Sequence, residues 1–142
     1  MMGAVTNETR EAIGRLFDAV EQGDIEAVMA EVELVAGPDI TATSLVGTAV
    51  EGRGYEGLEG IREWLGDMIG AFDLDYGDRE LREGPDGTLV FLANLSLTGK
   101  SSTAEVGQEL AFVFETGPDG KVTRVTTMGS HADALRMGGV EA

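Results

Sequence analysis

The sequence predicts an α+β fold: a cone-shaped, curved antiparallel sheet wrapped around three helices from the N-terminal half, with a short C-terminal helix added. Three observations predict it. Apolar residues recur with a period of about 3.6 up to Phe72 and of about 2 after it. The second half is divided by short links with hairpin chemistry, "GPDG" (84–87), "TGKS" (98–101) and "GPDG" (117–120), which make neighbouring strands antiparallel. Helices and strands are segregated, and no βα alternation is present. The 142 residues form one domain, 1–142, long enough to bury a core without disulfides or metals.

Ile13, Leu16, Phe17 and Val20 stand at i, i+3, i+4 and i+7, the apolar stripe of a first helix from Asn7 to Val20. Gly23 ends it, and Asp24 suits the N-cap of a second helix carrying Ile25, Val28, Met29 and Val32. "AGPDITATSLV" (36–46) turns to β-branched residues and reads as a strand, with "GTAVEG" (47–52) as a short second one. Leu58, Ile61, Trp64, Leu65, Met68, Ile69 and Phe72 mark a third helix from Gly57. Strands follow at about 73–83, 88–98, 102–115 and 121–129, and "SHADALRM" forms a last helix capped by Ser130 and ended by Gly138 and Gly139.

Alternation separates two faces in the long strands. Leu89, Phe91, Ala93, Leu95, Leu110, Phe112 and Phe114 belong to the set that faces the helices. The opposite set is partly apolar too, with Val90, Leu92, Ala111 and Val113. A solvated face would not need them, so a homodimer packed sheet to sheet is expected.

Composition excludes several function classes. Ten Lys and Arg against 26 Asp and Glu give a net charge of −16, which repels phosphate backbones and anionic lipid, so neither nucleic acid nor membrane is an expected partner. There is no Cys, hence no disulfide, thiolate site or cysteine nucleophile. No metal-binding loop or helix motif is present, and no metal or cofactor is predicted. The N-terminus has no basic lead or apolar core, so a cytoplasmic location is expected. Gly52 to Gly57 spell a literal G-x-G-x-x-G. No long buried strand precedes it, and Glu56, Glu59 and Glu63 crowd the helix start that would receive a pyrophosphate. It reads as the entry to the third helix.

Three segments, "RLFDAVEQGDIEAVMAEV" (15–32), "GYEGLEGIREWLGDM" (54–68) and "QELAFVFETGPDGKVTRVTTMGSHADALRMGGV" (108–140), resemble the nuclear transport factor 2-like superfamily, in its SnoaL-like and ketosteroid-isomerase-like branches. The resemblance covers nearly the whole chain. It implies a cone with an apolar pocket between sheet and helices, usually in a dimer. It also implies positions for the isomerase groups, a tyrosine and two acids, and these fall on Leu16, near Ser44 and near Leu110. All three groups are missing, so steroid-type proton transfer is not expected.

The pocket candidates are Leu16, Tyr55, Trp64, Gln108 and Met128. Leu16 and Met128 read as lining, and Trp64 as core and pocket wall. Tyr55 either points its hydroxyl into the pocket mouth or anchors the loop before the third helix. Gln108 shares the inward parity of Leu110 and Phe112, which offers a polar group inside an apolar cavity, but it stands near a strand end. His131, the one histidine, follows a strand end at an exposed helix start and has no assignable catalytic partner. The leading expectation is therefore an apolar pocket for a small hydrophobic molecule with no identifiable catalytic set. The alternative is an isomerase, cyclase or dehydratase acting on a polyketide- or steroid-like substrate by acid/base chemistry.

Overall fold

Two helices open the described part of the chain, which comprises residues 7–44, 54–99 and 105–140 of the computed structural model. α1 (Asn7–Gln22) buries Ile13, Phe17 and Val20, with Leu16 half-buried beside them. It stops because Gly23 takes φ +72°, a left-handed conformation open to glycine without steric cost. The Gly23 N–H then donates to Val20 O at 3.0 Å and the Asp24 N–H to Ala19 O at 3.1 Å, the paired bonds of a Schellman turn. Asp24 at once begins α2 (Ile25–Val35), its Oδ1 accepting the Ala27 N–H at 3.1 Å. One dipeptide ends a helix and starts the next.

β1 (Ala36–Ser44) pairs antiparallel with the short β2 (Gly54–Glu56), and α3 (Gly57–Ala71) follows directly. α3 buries Ile61 and Ile69 and half-buries Leu58, Trp64, Leu65 and Met68. β3 (Phe72–Glu83), β4 (Leu89–Gly99), β5 (Glu105–Thr116) and β6 (Val122–Met128) complete the sheet, and α4 (His131–Met137) ends the described elements. The strand order is β2-β1-β6-β5-β4-β3. Both GPDG segments close hairpins, each with its last glycine at positive φ, +76° at Gly87 and +79° at Gly120.

One pairing differs from the expected antiparallel sheet: β1 runs parallel to β6. Turn chemistry orients β3 to β6, whereas β1 reaches its neighbour through α3 and a long connection, which leaves its direction free of any hairpin. The glycine motif does not lead a βα crossover. Its described part is the antiparallel edge strand β2 and the first residue of α3. Gly52, Arg53 and the strand expected at 47–52 lie outside the described residues.

Two bulges shape the sheet. In β3 the register shifts between Gly77 and Glu80, where Asp78 takes φ +52° and accepts the Asn94 Nδ2–H at 2.9 Å. The bulge aims Arg79 at α1, where it meets Asp18 and Glu21, each at 2.7 Å. Glu21 also accepts the Tyr76 N–H at 2.7 Å, so the bend in the strand is tied to the end of the helix. In β6, Thr116 pairs with Val122 but Glu115 pairs with Arg124. That extra residue reverses the alternation of everything after it.

The sheet separates two apolar clusters. On its concave side Phe17 stacks on Phe91 at a centroid distance of 4.0 Å and lies 5.2 Å from Phe112. On the rear, Val90, Leu92, Ala111 and Val113 pack with Ala134 and Leu135 of α4, and Met128 and Val140 adjoin them. These are the residues whose apolar character suggested a second copy of the chain. Here α4 of the same chain covers them, so their burial requires no partner. A second Schellman turn at Gly139 (φ +70°) brings Val140 back onto this cluster, its N–H donating to Leu135 O at 2.9 Å.

Candidate functional site

The apolar stripe of α1 faces the concave side of the sheet, and α2 and α3 close over it. Between them lies a cavity of about 50 Å³. Ile13, Leu16 and Phe17 of α1 form one wall, and Ile61, Trp64 and Leu65 of α3 form the opposite one. Val32 and Val35 of α2 close an end, and Phe112, Phe114, Val122 and Val125 supply the sheet floor. Every described lining residue is apolar, and the indole N–H of Trp64 is the only side-chain polar group among them.

Leu16 and Trp64, two of the five candidates from the sequence, therefore both line the cavity, one from α1 and one from α3. The other three are elsewhere. Tyr55 is half-buried against the core, its ring stacked on Trp64 at 6.1 Å between centroids; it backs the wall without lining the cavity. Gln108 pairs with Leu95, which confirms its parity, but it is exposed at the open end of β5. Met128 is a correction: it packs in the rear cluster, not the cavity. Strict alternation from the inward Val122 would turn Met128 inward, but the bulge in β6 turns Val125 and Thr127 inward instead.

Thr127 is the residue that the sequence reading missed. It pairs with Phe112, stands two residues after Val125 and is 7% exposed, and its Oγ1 is buried without a hydrogen-bond partner. No sequence signal marks it, because "VTRVTTM" (122–128) is rich in β-branched residues on both faces.

Among the described residues, no titratable side chain lines the cavity. Tyr76 is in the concave core, edge to face with Phe17 at 5.0 Å. Burial, and after it the Glu21 carboxylate, pushes its phenol pKa up, with Arg79 opposing. His131 opens α4 on the rear. Its Nε2 is 2.8 Å from Ala93 O, a contact that places the proton on that nitrogen, and its backbone N–H donates to Glu109 Oε1 at 2.9 Å. Both bonds fasten α4 to the sheet. Of the positions that the resemblance assigned to isomerase groups, Leu16 lines the cavity and Leu110 is buried in the concave core. The backbone of Ser44 pairs with Thr127. Among the described residues no three acidic or histidine side chains gather as a metal site requires, and no helix is long and apolar enough to cross a membrane.

Helices packed on the concave face of a six-stranded mixed sheet match many solved structures. A nuclear transport factor 2-like protein of unknown function from Burkholderia pseudomallei K96243 superposes with a TM-score of 0.69 at 14% identity, covering 96% of this chain and 100% of that one. This chain has the nuclear transport factor 2-like fold. An isomerase candidate from Bacillus subtilis shares the fold with a TM-score of 0.71 at 14% identity, over 94% of this chain and 95% of its own. A SnoaL-like polyketide cyclase candidate from Jannaschia sp. CCS1 does so with 0.66 at 14% identity, over 97% and 95%. No family model matches the sequence, and no curated protein does.

Proposed function

We propose that this chain is a binding protein for a small apolar molecule, held in the cavity between α1, α2, α3 and the sheet. The observation that carries the reading is the lining: among the described residues it holds no titratable side chain. Acid/base catalysis needs such a group within hydrogen-bond reach of the reacting proton. An apolar wall instead favours burial of hydrocarbon, at roughly 25 cal/mol for each Å² removed from water. A cavity of about 50 Å³ has room for roughly four water-sized groups. Larger molecules require α3 to move outward, and its wall residues Trp64 and Leu65 are only half-buried.

Native mass spectrometry tests this reading. The folded chain should take up one small neutral hydrocarbon or ketone, and Val125→Phe, which fills the floor, should abolish the uptake. Equal uptake by both proteins would place the molecule elsewhere and refute the reading. The alternative, an isomerase or cyclase, draws support from the isomerase and polyketide cyclase candidates that share the fold. Incubation with an enolisable ketosteroid discriminates: binding alone predicts proton exchange at the buffer rate, and robust turnover would favour the enzyme.

A further inference from the structure

Thr127 Oγ1 is the one buried side-chain polar atom among the described residues that lacks a hydrogen-bond partner. Buried hydroxyls are nearly always paired, and an orphan costs folding free energy that a methyl group in its place would not. Its setting points to a use. Phe112, across the ladder, and Val125, two residues earlier, both line the cavity, and Trp64 meets Phe112 edge to face at 6.2 Å. The side-chain polar group of the described lining, the Trp64 indole, can only donate. A threonine hydroxyl donates and accepts.

We propose that Thr127 Oγ1 is the polar anchor of the cavity, orienting an apolar molecule that carries a single hydrogen-bonding oxygen, a ketone or an alcohol. The inference rests on the cavity being a binding site. The hydroxyl is sealed from solvent and does not line the cavity in the empty protein, so a ligand reaches it by shifting side chains of the sheet floor, where Phe112 pairs with Thr127. Its apolar body then occupies the carbon-lined space and its oxygen takes the unused hydrogen bond. Specificity follows from the orphan: a pure hydrocarbon fills the same space but leaves the hydroxyl unpaired.

Two probes of one shape test this, cyclopentanone and methylenecyclopentane, which differ in carbonyl oxygen against methylene. Trp64 is the only tryptophan, so its indole N–H gives a single NMR resonance that reports occupancy. Replacing Thr127 by valine should shift the ratio of the two dissociation constants by about threefold to tenfold toward the hydrocarbon, and Thr127→Ser should keep the wild-type ratio. T127V should also unfold no earlier than the wild type. An unchanged ratio in T127V overturns the anchor and leaves the cavity reading standing. A lower unfolding midpoint for T127V also overturns it, because the hydroxyl would then have a partner in the folded chain. If neither probe moves the Trp64 resonance of the wild type, the cavity reading fails and the anchor with it.

Discussion

Gly84→Ala should destabilise this protein, whereas the same substitution at Gly66 should stabilise it. The backbone at Gly84 has φ −102°, ordinary for alanine, so conformation is no obstacle. Space is. A Cβ there would lie 2.2 Å from Gly138 O and 3.1 Å from Val140 Cγ2, while a relaxed carbon–oxygen contact needs about 3.3 Å. About an ångström of movement must come from backbone just past α4, and that segment is itself tight, since a Cβ on Gly138 would meet Val90 Cγ2 at 2.4 Å. Forcing an extra carbon into such packing costs about 1–3 kcal/mol. Lifting α4 off would expose Val90, Leu92 and Val113, at roughly 1.5–3 kcal/mol each, so the chain strains and α4 stays in place. At Gly66, mid-helix in α3, a Cβ meets nothing within 4 Å, and alanine should gain up to about 1 kcal/mol. Urea unfolding followed by circular dichroism should separate the two variants by about 1–4 kcal/mol. A wild-type midpoint for G84A would refute the claim that α4 rests on the rear of the sheet, and a loss in G66A would refute an open surface on α3.

Two further outcomes follow from local chemistry. Asp24→Ala removes the carboxylate that caps α2 through Ala27 and should cost about 1 kcal/mol in urea unfolding, with Asp24→Asn retaining most of the stability. Tyr76 sets an alkaline limit: burial first and Glu21 second raise its pKa in the folded chain, against the opposing Arg79. The unfolded chain therefore releases this proton first, so stability should fall as pH rises beyond about 10, and Tyr76→Phe should flatten that loss in pH-dependent thermal melts.

The helical layer was legible because α1 and α3 carry unbroken apolar stripes and because Gly23 and Asp24 are strong stop and start signals. The hairpins were legible from their turns. The same stripes put Leu16 and Trp64 in the cavity wall. Three features depended on tertiary context. The parallel pairing of β1 with β6 has no turn to announce it. The rear apolar set reads alike whether a second chain or α4 covers it, and seven residues of helix gave no measure of how much they would bury. The extra residue in β6 exchanged Met128 for Thr127 on the concave face, in a run where either parity is plausible for a strand. Gln108 shows the limit of parity itself, which fixes the face of the sheet a side chain shares but not whether the strand end is covered.

Under the proposed function the concave cavity, not the rear cluster, receives an apolar molecule. Methyl-resolved NMR during a titration with methylenecyclopentane addresses it directly, because the two clusters hold different methyl groups. Ile13, Leu16, Leu65 and Val125, which line the cavity, should shift, with Val90, Val113 and Leu135 of the rear cluster unmoved. Shifts confined to the rear cluster, or none at all, would contradict it.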